Sequence, residues 1–337
     1  MSLIEISDQA RALHRRAIVL DGHIDTVIKN LAAGLPANLG QSAAGGHLDL
    51  PRMVEGGLSG GFVMVGGHDL VQGLRLVDRV YEECALNADR LTVALCADDV
   101  RKAKASGKAA FIMEMEGAWM LHDQMALMRV FHRLGVRMVG PTHGEGGEPF
   151  QLQGEKSLFG YCDLAKRDEL RRTQKGLTAF GKELVREMPR MPLLLDLAHA
   201  NDAAFYESLD LYDGPPLFSH GNCFGLCPHS RNLTDDQLKA LAAKGGVICI
   251  AFYTAFVDRE KATFERLLDH FSYAADLVGV AHVGLGSDYD GCNATVIPEV
   301  SQLPALTQGL LSRGFSADDV LKILGGNLMR VIETVIR

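Results

Sequence analysis

The sequence predicts an α/β fold, a closed (β/α)8 TIM barrel of parallel strands, and three observations point to it. Eight short apolar runs alternate with longer segments of helical periodicity along 337 residues. Most of the runs are apolar throughout rather than alternating, as strands covered on both faces are. Acidic residues and histidines recur at the downstream ends of these runs, and in a parallel barrel all such ends open onto one face.

In order, the predicted strands are AIVLDG (17–22), GGFVMVGG (60–67), AAFIMEME (109–116), VRMVGPTH (136–143), PLLLDLAH (192–199), PPLFSH (215–220), GVICIAF (246–252) and HVGLGSD (282–288). The helix candidates between them are 74–95, 125–135, 176–190, 235–245 and 263–279, each with apolar residues near i, i+3 and i+4. A short helix precedes the first strand, and a helical tail runs from about Ser316 to Val335. One barrel takes about 250 residues, so residues 1–337 are expected to form a single domain with modest extensions. Sequence alone does not show closure, and a doubly wound open sheet is the runner-up. It would be favoured by GxGxxG after the first strand, which DGHIDT is not.

Composition narrows the partners. A net charge of −8 without a run of Lys or Arg leaves no electrostatic footprint for nucleic acid. The N-terminal stretch lacks the apolar core of a secretory signal, and no stretch of about 18 apolar residues follows. A soluble, cytoplasmic chain without membrane contact is expected, with a removed leader left open. Seven scattered cysteines do not form a disulfide framework in a chain this long. Cys223, Cys227 and His229 are closely spaced, but structural zinc needs four ligands, so these cysteines read as small apolar fillers. The glycine-rich stretch 144–160 follows the fourth predicted strand and is expected to act as a lid.

The chemistry sits at the strand ends. His23 and Asp25, spaced i and i+2, point to one side of an extended strand and can grip one cation. Glu116 is the outermost acid of AAFIMEME, placed to bridge two cations, whereas Glu114 is deeper and needs a buried partner. His199 and His220 close consecutive strands, and neutral imidazoles are ordinary zinc ligands. Five groups are too many for one tetrahedral zinc and suit two cations sharing Glu116. Asp288 in GLGSDYDG is placed as general base or final ligand, with Asp290 as the structural alternative. His143 and Arg231 can bring positive charge to a substrate, although Arg231 reads equally well as a surface cation near a helix start. Tyr253, directly after GVICIAF, is a further candidate substrate contact.

The ordered pieces DGHIDT, HLDLPRMVEGGLSGGF, EMEGA, GPTH, DLAHA, FSHGN, RNLTDD, GLGSDYDG and GGNLMRV resemble the renal or membrane dipeptidase family of the amidohydrolase superfamily. The resemblance implies two Zn2+ per chain, with His23 and Asp25 on one, His199 and His220 on the other, and Glu116 bridging. It also implies substrate roles for His143 and Arg231, proton transfer by Asp288, free dipeptides with an L-residue first and either hand second, and a homodimer. Other metal hydrolases of this barrel, acting on lactones, cyclic amides or by deamination, use much the same rim ligands. The chain departs from the pattern at Ile24, where relatives often carry Asn, and in its own sequence after Gly144. The fourth strand ends in Pro141, Thr142 and His143, so no lysine is present there for a carbamylated-lysine site.

Overall fold

The structure is a computed structural model that describes residues 3–42, 45–66, 69–143 and 176–336. The stretch 144–160, expected to be a lid, lies outside the described residues. Nine strands are present among them: β1 (Leu20–Ile24), β2 (Gly60–Met64), β3 (Leu91–Val93), β4 (Ala109–Glu116), β5 (Val136–Gly140), β6 (Leu194–Leu195), β7 (Leu217–Gly221), β8 (Val247–Ile250) and β9 (Val283–Leu285). Eight of them follow the order β6-β5-β4-β2-β1-β9-β8-β7, β3 lies off this path against β4, and every pairing is parallel. The two ends of this order meet, because Asp196 just past β6 bridges Leu217 of β7. Leu197 N donates to Leu217 O at 2.9 Å at the same seam. The sheet is closed, and the open-sheet alternative falls.

Three differences from the sequence reading have local causes. The predicted helix 74–95 is a helix only over Leu70–Leu86, after which Leu91–Val93 forms β3. Asn87 leaves helical geometry at φ −125°, ψ 35°, and its Nδ2 donates to Glu83 O at 2.9 Å. The eight residues of β4 make room for the extra strand: β3 pairs with Ala109–Phe111, and β5 pairs with Met113–Glu116. Second, the run 192–199 is a strand only at Leu194–Leu195, because the chain turns away towards a left-handed His199 at φ 65°. Third, the C-terminal tail is three pieces, helices Ala317–Leu321 and Asn327–Val335 joined by a π-helical turn Lys322–Gly326. At that turn Gly325 packs on Ile18 so closely that a Cβ would lie 2.2 Å from the Ile18 carbonyl oxygen.

Alternation along β4 explains how the barrel is filled. Ala110 and Ile112 share a strand face with Glu114 and Glu116, so apolar residues occupy the deeper interior and acids the upper part. Ala110, Ile112, Phe62, Met138, Leu194, Leu217 and Val247 form one buried cluster with Leu328, Met329, Val331 and Ile332 of the C-terminal helix. Arg330 ties that helix to the starts of β8 and β9, donating to Gly245 O and Ala281 O at 2.9 Å each. The helix therefore seals the end opposite the strand tips. No helix among the described residues is long and apolar enough to cross a membrane.

Candidate metal centre

At the open end a cavity of about 280 Å³ is lined by His23, Asp25, Glu116, His143, His199, His220, Arg231, Tyr253 and Asp288. All nine residues singled out from the sequence thus meet at one place. Phe256, Gly291, Cys292 and Asn293 complete the wall. Sequence reasoning missed these four, although the glycine following GSDYD carried a signal of close backbone approach.

Different local devices deliver each side chain. His23 lies within β1, whereas Asp25 has left the strand and is the residue preceding helix Thr26–Ala32. Asp25 N donates to Tyr289 O at 2.9 Å, which fixes it beside the end of β9. His199 sits in its left-handed turn two residues before Asn201, whose side chain accepts from Ala204 N at 2.8 Å and caps helix Asp202–Leu211. Such a cap contributes about 1 kcal/mol and also fixes where the turn ends. His220 lies within β7. Arg231 is only 3 % exposed, which removes its reading as a surface cation. It is held in a loop that Asn232 pins: its Oδ1 accepts from Asn222 N at 3.0 Å, and its Nδ2 donates to Phe256 O at 2.8 Å.

Glu116 is the hub. Its Oε1 lies 2.9 Å from His199 Nε2 and 3.4 Å from His220 Nε2, while Oε2 lies 3.7 Å from His23 Nε2 and 3.6 Å from His143 Nε2. His23 Nε2 is 3.1 Å from Asp25 Oδ2, and the His23 and His220 rings stack at 4.1 Å. Nε2 of His199 and of His220 converge to 3.1 Å. A tetrahedron around zinc with ligands near 2.1 Å has edges of about 3.4 Å, so this donor spacing fits a cation. Three overlapping groups have ligand atoms within 4.8 Å of one another: His23, Asp25 and Glu116; Glu116, His143 and His199; His23, His220 and Asp288.

The protonation of two of the histidines also favours metal binding. Burial, with the charge of Arg231, holds the His199 imidazole well below its ordinary range, and burial with the charges of His23 and Arg231 does the same to His220. Both present neutral nitrogen donors at pH 7. Burial opposes a charge on His23, but the carboxylates of Asp25, Glu116 and Glu114 outweigh it and raise this imidazole well above its usual range. The buried partner expected for Glu114 is His23, whose Nδ1 lies 3.0 Å from Glu114 Oε2. Asp288 is pushed up to about 8, first by burial and then by the charge of Asp25. Asp290 is placed elsewhere: it does not line the cavity, and its carboxylate pairs with Lys29 Nζ at 2.7 Å.

Barrel closure, strand-tip placement and a histidine-carboxylate cluster built around one glutamate define the class, a metal-dependent hydrolase. The chain belongs to the membrane dipeptidase family, peptidase family M19, whose model matches residues 7–337. It is 34% identical over 312 residues to Dipeptidase tcpJ of Claviceps purpurea, covering 86% of this chain and 69% of that protein. It spans between about half and two thirds of the length of other curated fungal and yeast relatives. Among solved structures it is similar to the dipeptidase AC, a metallopeptidase of family M19, at 29% identity and a TM-score of 0.85 over 95% of this chain and 98% of that one. A metallopeptidase from Rhodobacter sphaeroides, liganded with a phosphinate mimic of the dipeptide L-Ala-D-Ala, is similar at 28% identity and a TM-score of 0.83 over 95% and 99%.

Proposed function

We propose that this chain is a two-zinc dipeptidase that hydrolyses free dipeptides with an L-residue first and either hand second. The observation that carries the reading is the divided carboxylate of Glu116, with Oε1 facing His199 and His220 and Oε2 facing His23. In this reading His23 and Asp25 hold one ion, His199 and His220 the other, and Glu116 touches both. The phosphinate dipeptide mimic held by the Rhodobacter sphaeroides relative supports a dipeptide as substrate.

When bound, the two ions supply Lewis acidity and a water whose pKa falls from about 15.7 towards roughly 7. The side chains supply the rest. Arg231 pairs with the terminal carboxylate of the substrate: its Nε and Nη1 are buried without a hydrogen-bond partner, and a substrate anion would satisfy them. His143, with its side chain 36% exposed on the cavity wall, donates to the developing oxyanion. Asp288, on the cavity wall beside His23 and His220, carries a proton from the attacking water to the leaving amine. Tyr253 contacts the substrate from the same wall.

The test is amine release from a panel of L,L and L,D dipeptides by zinc-loaded enzyme, beside N-acetylated and C-amidated versions, with bound zinc counted. Turnover confined to free dipeptides and abolished by chelation is expected at two ions per chain. Silence across the panel would turn the search to lactones and cyclic amides.

A further inference from the structure

Asp290 is the second acid of GLGSDYDG, and the proposed chemistry uses only the first. Its side chain is fully buried and lies off the catalytic cavity. Oδ2 accepts from Thr26 Oγ1 at 2.6 Å, and Oδ1 accepts from Lys29 Nζ at 2.7 Å and from His47 N at 3.0 Å. The Asp290 N–H donates in turn to His47 Nδ1 at 2.9 Å. These bonds join three segments distant in sequence: the turn after β9, the loop at His47 and the helix that begins one residue after Asp25.

The same turn abuts the metal centre. Tyr289 O receives the N–H of Asp25 at 2.9 Å. Gly291 packs so tightly that a Cβ would lie 2.0 Å from Asp25 Oδ2 and 2.4 Å from Asp288 Oδ1. Asp288 and Asp290 both hold left-handed backbone, at φ 62° and 69°, which residues with a Cβ keep only when surrounding contacts impose it. At this turn the Asp290 carboxylate adds three such contacts, from Thr26, Lys29 and His47, to the backbone bonds of Tyr289 and Asp290.

Building on the two-zinc reading, we infer that Asp290 is a positioning residue: with Lys29 as counter-charge, it clamps the 288–291 turn against the Asp25 helix and so sets the spacing of Asp25 and Asp288. Its effect should therefore fall on the His23–Asp25 half of the centre. The half held by His199 and His220 hangs on β6, β7 and their own loops, and the clamp does not touch those elements. An Asn at 290 keeps one oxygen for Lys29 and His47 N and an amide for Thr26 Oγ1, so it preserves the joint without the charge.

The test is zinc titration of the metal-free enzyme against a chromophoric chelator, together with steady-state kinetics. In Asp290→Ala one of two ions should bind roughly ten- to hundredfold more weakly with the other unchanged, and kcat should fall about tenfold or more with KM nearly constant. Asp290→Asn should recover most of both losses, and Lys29→Met, at a half-exposed amine, should shift the same ion in the same direction by less. A general loss of stability would weaken both ions alike and would overturn the inference. So would two ions of unchanged affinity with unchanged kcat in Lys29→Met, the variant that decides if Asp290→Ala does not fold. A wild-type chain that binds a single ion would overturn the two-zinc reading itself.

Discussion

Ser219 Oγ lies 2.8 Å from Nδ1 of His220 and donates its own hydrogen to Asp196 Oδ2 at 2.7 Å. Asp196 Oδ1 accepts the N–H groups of Ser219 at 2.8 Å and Ala198 at 3.1 Å, which holds the carboxylate against the Ser219 hydroxyl. With its hydroxyl hydrogen committed, Ser219 can only accept from His220, and Nδ1 of the imidazole carries the proton. The Nε2 lone pair then faces the cavity, where Arg231 Nη2 donates to it at 2.8 Å. The residue that closes the barrel at Leu217 thus also sets the tautomer of a metal-facing histidine.

Ser219→Ala should release that tautomer. Zinc affinity at the His199–His220 half is expected to fall roughly ten- to hundredfold, the usual effect of removing a group that orients a ligand. Chelator competition measures it, and an unaltered affinity would remove the relay from the account.

On the two-zinc proposal, Asp288→Asn should keep both ions and lose turnover by roughly a hundredfold or more, because an amide moves no proton. Zinc content and kcat measured on the same preparation separate the outcomes. Loss of an ion with unchanged activity per remaining metal would make Asp288 a ligand instead.

Arg231→Ala should raise KM for free dipeptides far more than for C-amidated analogues, since a buried guanidinium that loses its anion partner discriminates by that charge. Equal changes for both substrates would leave Arg231 without its carboxylate role.

Away from the centre, His270 makes stability depend on pH. Burial lowers its imidazole to about 4, with Cys223 N donating to Nδ1 at 3.1 Å and Nε2 donating to Val257 O at 2.9 Å. The unfolded imidazole binds a proton near 6.5, so between those two values the unfolded chain holds the extra proton. Stability is full above about 6.5, falls as pH drops to about 4, and loses no more below that, for a total on the order of 3 kcal/mol. His270→Asn should be the less stable protein at pH 7, and the gap to wild type in chemical unfolding should shrink towards pH 4.5. A gap independent of pH would contradict the assignment.

How far the residues spoke for themselves differed from place to place. Eight barrel strands were readable because an apolar run covered on both faces is a local pattern. Strand β3 was not, since its three residues continue the apolar spacing of the helix before them. His23, Glu116 and His220 were readable because strand tips in a parallel barrel share one face. Lys29, His47, Ser219 and Asp196 carried no signal, for each acts through a partner brought close by the fold: Lys29 and Asp290 are 261 positions apart.

By itself, then, the sequence determined the alternation of strand and helix, the donor types at the strand ends and the family those pieces resemble. Tertiary structure alone decided that the sheet closes at Asp196 and Leu217, that Arg231 is buried, and that Asp288 rather than Asp290 faces the cavity. The physical reason is range. Periodicity and side-chain chemistry are properties of neighbouring residues, whereas closure, desolvation and the choice between two acids two residues apart depend on which distant segments the chain brings against them.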